Sequence, residues 1–306
     1  MLLFTHPSML RHEPPRGHAE HAGRLKAVLE GLEGMNLDRR EAPFADRGAI
    51  ERVHPADYID MLDDAFAKTS DGIVQLDPDT FLSAGSREAA YRAAGACVAA
   101  VDAVFAGDDE MAFCAVRPPG HHAEPQQPMG FCLFNNVAIA AKHALAHHGA
   151  QRVAIIDFDV HHGNGSQTVA EHDPRIFFAS THQSPLYPGT GAAYEHGIDN
   201  NVVNAPLPGG AGSTLWRTAM QTMVLPALEA FAPELILVSA GFDAHRADPL
   251  AQMELEEADF AWAAKALREV SLRNCKGKLV STLEGGYDLA ALSRSAAAYV
   301  GVLQRD

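Results

Sequence analysis

Val153-Ala154-Ile155-Ile156-Asp157-Phe158-Asp159-Val160-His161-His162-Gly163-Asn164-Gly165 is the stretch on which the fold turns. Four apolar residues lead into it. A buried strand over Val153–Val160 puts Asp157, Asp159 and His161 on one side at its carboxyl end, because strand side chains alternate with a period of two. Two acids and a histidine beside a buried strand carry a heavy desolvation cost, and a divalent metal ion is the simplest compensation. The segment predicts a metal hydrolase.

Outward from this strand, short apolar runs alternate with amphipathic ones. Strands are expected near Leu2–Phe4 and at Met111–Val116, Ile176–Ser180, Val202–Leu207, Leu235–Ala240 and Leu279–Leu283. Helices are expected at Gly23–Leu32, from Pro55 with Tyr58, Met61, Leu62 and Phe66 on one face, and at Ala84–Phe105, ended by Gly107. Further helices are expected at Asn136–His148, Ser166–His172, Ser213–Phe231, Glu256–Arg273 and Asp288–Leu303, with Leu76–Thr80 a turn. The continuous hydrophobicity of Leu235-Ile236-Leu237-Val238 argues for a parallel sheet covered on both faces. The reading is one α/β domain over residues 1–306, with a mostly parallel central sheet and helices on both faces.

Ligands in such sheets bind beyond the carboxyl ends of the strands. The segments that follow the strands carry the unusual residues: Arg117–His122, His161–Gly165, Gly241–Pro249 and Glu284–Tyr287. A zinc-ligand set emerges from Asp159, His161 and one acid of the Asp243–Asp248 loop, leaving a coordination position for water. Residue type alone does not choose between Asp243 and Asp248. His121-His122, after the rigid Pro118-Pro119-Gly120 turn, fits general acid and base work, whereas His147-His148 at a helix end reads as polar surface. Tyr287 follows two glycines, and its hydroxyl can polarise a carbonyl opposite a metal.

The 306 residues suffice for a large core, and the formal charge of −15 argues against a general nucleic-acid surface. Neither a signal peptide nor a membrane span is expected, and the four scattered cysteines fit a reducing compartment, so a cytoplasmic location is expected. Gly163-Asn164-Gly165 lacks the third glycine of a dinucleotide loop, and the chain has neither a Walker A loop nor a Gly-x-Ser-x-Gly elbow.

Six motifs, in order, carry a specific likeness: Arg117–Glu124, Gly130–Asn136, Asp157–Gln167, Tyr187–Gly191, Ala240–Pro249 and Glu284–Tyr287. Together they resemble the zinc-dependent histone deacetylase family, class II type, over nearly the whole chain. The resemblance implies the arginase–deacetylase fold, with zinc on Asp159, His161 and Asp248, and so selects Asp248 over Asp243. It implies that His121 and His122 are the tandem histidines, His122 the general base, and Tyr287 the hydroxyl that polarises the amide carbonyl. Asp157 would orient His121. Asn164 would support His122 where class I relatives have an aspartate, giving His122 a lower pKa than a carboxylate would.

A structural potassium ion is implied at Asp157 and Ser180, with main-chain oxygens of Asp159 and His161 and with Thr181 beside them. Gly130, Phe131 and Tyr187 would form the tunnel for the acyl-lysine stem, and Arg24 would line an inner acetate channel. The amino-terminal motif departs from the family's usual His-Pro-Glu, reading His18-Ala19-Glu20.

The implied partner is an acylated lysine peptide or protein, or a small acylated amine, and the oligomeric state is open. An acetylpolyamine amidohydrolase is the rival reading. In polyamine-specific relatives a glutamate stands seven residues after the last zinc ligand; counted from Asp248 that position is Leu255, flanked by Glu254, Glu256 and Glu257. A binuclear arginase-type site is disfavoured by His162 and Asn164, where more carboxylates would be wanted. A catalytically silent acyl-lysine binding module is the reading from outside the enzymes.

Overall fold

The computed structural model describes residues 1–304. Ten strands are defined: β1 Leu2–Thr5, β2 Asp38–Glu41, β3 Val74–Gln75, β4 Phe81–Leu82, β5 Met111–Cys114, β6 Val153–Asp157, β7 Ile176–Gln183, β8 Val202–Leu207, β9 Leu235–Ala240 and β10 Leu279–Leu283. Eight of them form one sheet in the order β2-β1-β5-β10-β9-β6-β7-β8, parallel throughout, while β3 and β4 make a small antiparallel pair. Every residue of β6, β7, β9 and β10 is buried, as expected of strands covered on both faces.

The α-helices are α1 Ala22–Gly31, α2 Arg47–Ile50, α3 Ala56–Ala67, α4 Ser86–Ala106, α5 Asn136–His147, α6 Asn164–Ala170, α7 Ser213–Ala219, α8 Leu225–Phe231, α9 Glu257–Asn274 and α10 Leu289–Leu303. One π-helical turn, Met220–Val224, joins α7 to α8. Helices α4 and α5 pack on each other and on the sheet. A second layer of α1, α9 and α10 meets the sheet through the rings of Phe113, Phe158, Phe242, Phe260 and Tyr299. By length and hydropathy α4 could cross a bilayer, but two-thirds of its apolar window is buried inside the fold. Its end is set by Gly107, left-handed at φ 81°, whose N–H returns to the Ala103 carbonyl.

Two expectations are corrected, for β6 and for α3, and one strand, β2, was not expected. Strand β6 stops at Asp157 rather than Val160, because Asp157 Oδ1 accepts the Asp159 N–H (3.1 Å) and Asp159 Oδ1 accepts the His161 N–H (2.9 Å). These local side-chain bonds replace the ladder. The edge strand β2, Asp-Arg-Arg-Glu, has no apolar signature; charged residues at a sheet edge discourage pairing with other chains. On α3, Tyr58, Leu62 and Phe66 are buried together with Ile59, while Met61 is 40% exposed.

Candidate active site

The carboxyl ends of β6, β9 and β10 converge on a buried trio: Asp159, His161 and Asp243, whose ligand atoms lie within 4.8 Å of one another. His161 Nδ1 stands 3.1 Å from Asp159 Oδ1 and 3.1 Å from Asp243 Oδ2. Tetrahedral zinc ligands at about 2.0–2.2 Å lie roughly 3.3 Å apart, so His161 Nδ1 needs almost no movement to share an ion with either carboxylate. Their outer atoms are held by the backbone: Val160 N–H donates to Asp243 Oδ1 (2.8 Å) and Gly285 N–H to Asp159 Oδ2 (2.7 Å). A Cβ at Gly285 would come within 2.0 Å of Asp243 Oδ2, so only glycine allows this approach.

Electrostatics also fits a cation. Burial and then the neighbouring Asp159 charge push the Asp243 carboxyl up to about 7. Burial would pull His161 down, but bonds to Asp159 and Asp243 raise it to about 10. The pair of carboxylates holds positive charge at Nδ1, and an oxygen–nitrogen–oxygen donor set suits zinc.

Asp248 is not in this trio, contrary to the expectation from the resemblance. The loop after Asp243 turns back through the Asp248 N–H bond to the His245 carbonyl (2.9 Å). Asp248 then spends its carboxylate on the Tyr287 N–H (2.7 Å) and the Leu250 N–H (3.0 Å). Leu255 is corrected with it. It is fully buried and bonded through its backbone to Ala244 and Arg246, away from the cavity wall.

Beside the trio, His121 Nδ1 donates to Asp157 Oδ2 (2.9 Å), and His122 Nδ1 donates to Asn164 Oδ1 (2.8 Å). Asn164 in turn donates to Glu124 Oε1 (2.6 Å), so a carboxylate stands one residue further out. Glu284 Oε2 accepts the N–H groups of Gly120 (2.7 Å) and His121 (3.2 Å) and fixes the loop that carries both rings. Burial disfavours charge on His121, but Asp157 and Asp159 outweigh it and raise His121 to about 10. His122 is held well below its ordinary value, first by burial and then by His121 and His161. The two histidines are thus driven apart, one cationic and one neutral.

A cavity of about 240 Å³ leads to these groups, walled by Gly130, Phe131, Leu186, Tyr187 and Leu250, with Asp79 and Tyr287 also contributing. Phe131 has φ 68°, an unusual conformation for an aromatic residue, after Gly130 at φ 56°. The Thr80 hydroxyl secures it by accepting the Phe131 N–H (3.1 Å). The Phe131 ring meets Tyr287 edge-on at 5.9 Å, and Tyr187 meets His122 at 5.2 Å.

Behind Tyr287, Arg24 is fully buried and sits 4.8 Å from that ring. It donates to the carbonyls of Gly286 (2.6 Å) and Glu284 and to Glu20 Oε1 (3.1 Å). Its guanidinium lies outside the walls of the main cavities and braces the glycine turn. Glu20 also accepts from Arg117 at 2.5 and 2.7 Å. Ser180 pairs in register with Asp157, its hydroxyl 2.9 Å from His182 Nδ1, and the Thr181 hydroxyl accepts from Trp216 Nε1 (2.9 Å).

Reading the sequence alone left Glu20, Glu124, Glu284 and Asp79 without roles. The signal for Glu284 was available, an acid directly after an apolar strand; Glu20 is buried in a loop that nothing local marks as such, and Asp79 sits half-buried in another.

The histone deacetylase domain model matches residues 18–303. "Histone deacetylase 10, chloroplastic" of Oryza sativa subsp. japonica is 40% identical over 97% of this chain and 71% of its own length. The "Histone deacetylase-like amidohydrolase" of Pseudomonas aeruginosa is 42% identical, covering 91% of this chain and 75% of that protein. The crystal structure of the HDA15 HD domain superposes with a TM-score of 0.93 at 34% identity, covering all of this chain and 91% of that one. The motif resemblance and the α/β sheet agree with these matches, and the chain belongs to the histone deacetylase family, a family of hydrolases.

Proposed function

We propose that this hydrolase uses zinc to remove an acetyl or other acyl group from the side-chain amine of lysine in peptides or proteins, within one catalytic domain. The observation that carries the reading is the apolar cavity that reaches His161 of the Asp159–His161–Asp243 trio and is lined there by His122 and Tyr287 as well. A zinc ion held by those three residues would supply Lewis-acid polarisation and an acidified water.

The chain's own groups do the rest. His122, kept neutral, takes the proton of the attacking water at Nε2, its Nδ1 being committed to Asn164. Tyr287 keeps its proton, because burial pushes its pKa well above the ordinary value even with Arg24 beside it, and so donates a hydrogen bond to the carbonyl oxygen as charge develops there. Cationic His121, backed by Asp157, supplies positive charge near the tetrahedral carbon, and the imidazole pair returns a proton to the departing amine. Phe131, Tyr187 and Leu250 exclude water along the methylene stem.

Lysine is favoured over a polyamine by the gate residue. Counted from Asp243, seven residues on is Leu250, a cavity-wall leucine flanked by Pro249 and Ala251, so a shift of one position still brings no acid. Potassium beside Asp157, with main-chain oxygens of Asp159 and His161 and with Ser180 and Thr181, belongs to the same proposal. The buried Asp157 carboxyl, whose pKa burial raises, supports a cation there.

The test compares kcat/KM for an acetyl-lysine peptide and N-acetylputrescine, before chelation, after it, and after zinc is restored. The expected result is a peptide preference abolished by chelation and recovered with zinc. A preference for the polyamine overturns the substrate, and activity that survives complete chelation overturns the metal.

A further inference from the structure

A second group of metal-ligating side chains lies far from the catalytic rim. Asp102, on α4, receives His143 Nε2 at 2.6 Å and His148 Nε2 at 2.7 Å on the same oxygen, Oδ1. His143 is on α5 and His148 is the residue that ends it. Both helices finish here before the chain enters the amino-terminal ends of β5 and β6, the edge of the parallel sheet opposite the active site.

The cluster is built rather than loosely gathered. His143 is 94% buried by its 6% exposure, and the His148 ring stacks on Phe105 at 4.4 Å and 12°. Ring positions are thereby fixed before any ligand arrives. His147 stacks its ring on His143 at 4.5 Å and commits its Nε2 to Arg52 Nη2 (2.8 Å) rather than to Asp102. His143 Nδ1 is buried with no hydrogen-bond partner among the described residues, and Nε2 is the ring nitrogen whose proton faces Asp102. The half-exposed Asp102 carboxylate leaves further coordination positions open to water.

The geometry points to a second divalent metal site, formed by Asp102 Oδ1, His143 Nε2 and His148 Nε2, that takes zinc or a similar borderline ion and staples α4 to α5. Two imidazole nitrogens and one carboxylate oxygen are a donor set for zinc, cobalt or nickel rather than for magnesium or calcium. The donors need only separate from 2.6–2.7 Å to about 3.3 Å to surround an ion that replaces the two ring protons.

The full-length protein is stripped with chelator, equilibrated with zinc sulfate, dialysed against metal-free buffer, and its zinc per chain measured by elemental analysis. Wild type is expected to hold two equivalents. Asp102→Asn and His148→Gln are each expected to hold one while keeping deacetylase activity, and Asp243→Asn is expected to keep one equivalent at the second site without activity. Because the site is read from the equivalent that Asp102→Asn and His148→Gln lose relative to wild type, failure of the catalytic zinc assignment would not masquerade as failure here. A single equivalent in wild type that Asp102→Asn retains, or two equivalents in both Asp102→Asn and His148→Gln, overturns the site. Thermal unfolding of the metal-free variants within a few degrees of wild type shows that they are folded.

Discussion

The choice between Asp243 and Asp248 is the sharpest place to test the site, because the two acids differ by five positions and the geometry gives them opposite duties. Asp243→Asn keeps the Oδ1 acceptor for the Val160 N–H (2.8 Å) but puts an amide nitrogen where Oδ2 faces His161 Nδ1 at 3.1 Å. One ligand and one negative charge go together. Changes in residues that merely orient ligands cost about 10–100-fold in metal affinity, so loss of a ligand is expected to cost at least about 100-fold, or roughly 2.7 kcal/mol. Asp248→Asn leaves the trio intact but keeps only one oxygen acceptor for the N–H groups of Tyr287 (2.7 Å) and Leu250 (3.0 Å), weakening one bond and losing the other. Exchanging a charged for a neutral acceptor costs about 1 kcal/mol and leaving the other N–H unpaired about 1–3 kcal/mol, together with a loosened Tyr287. Zinc affinity is read by competition with a chromophoric chelator, in an Asp102→Asn background so that only the catalytic site is titrated. Asp243→Asn should lose zinc, and Asp248→Asn should keep it with about tenfold lower kcat. The reasoning is refuted if Asp248→Asn loses the metal and Asp243→Asn retains it.

Four further outcomes follow from the same geometry. Tyr287→Phe should lower kcat by about 10²–10³ at unchanged zinc content, measured by stopped assay and elemental analysis; full activity would remove Tyr287 from the chemistry. Asn164→Asp places a carboxylate 2.8 Å from His122 Nδ1 and should move the acidic limb of the kcat/KM profile to higher pH, an unchanged limb arguing that Asn164 does not tune His122. Leu250→Glu should shift the ratio of kcat/KM values toward N-acetylputrescine, whereas the same change at fully buried Leu255 should mainly destabilise the protein. Glu20→Gln should cost about 3–5 kcal/mol in denaturant unfolding, since it strands buried Arg24 and Arg117. Burial raises the Glu20 carboxyl, but Arg117 overrides it and leaves the folded pKa far below 4.5. The wild-type contribution is therefore full above about pH 4.5 and fades as pH falls toward the folded value, a slope that Glu20→Gln should flatten.

What the sequence revealed and what it hid have the same physical origin. Strands β6, β9 and β10 were legible because burial on both faces demands unbroken apolar runs, and the residues at their carboxyl ends stood out as polar exceptions. Strand β2 was not, because an edge strand has no buried side to advertise. The Glu20–Arg24–Arg117 cluster escaped for a related reason. Glu20 and Arg117 lie 97 residues apart along the chain, and a charge sequestered by a distant partner looks like any solvated charge until that partner is known.

The displaced ligand assignment shows how far local pattern can carry a site. Asp243 and Asp248 share one loop and one residue type, and both end up next to the metal trio or the tyrosine that faces it. What separates them is the sheet. Asp243 comes three residues after β9 ends, and its Oδ1 is pinned by the N–H of Val160 just beyond the adjacent strand β6. Asp248 lies a further turn along, where its carboxylate takes the backbone N–H groups of Tyr287 and Leu250. Ligand position is therefore set by strand adjacency, which spacing along one chain does not encode. The gate residue moves with the ligand it is counted from, and it is the leucine at 250, on the cavity wall, that the Leu250→Glu exchange puts at stake.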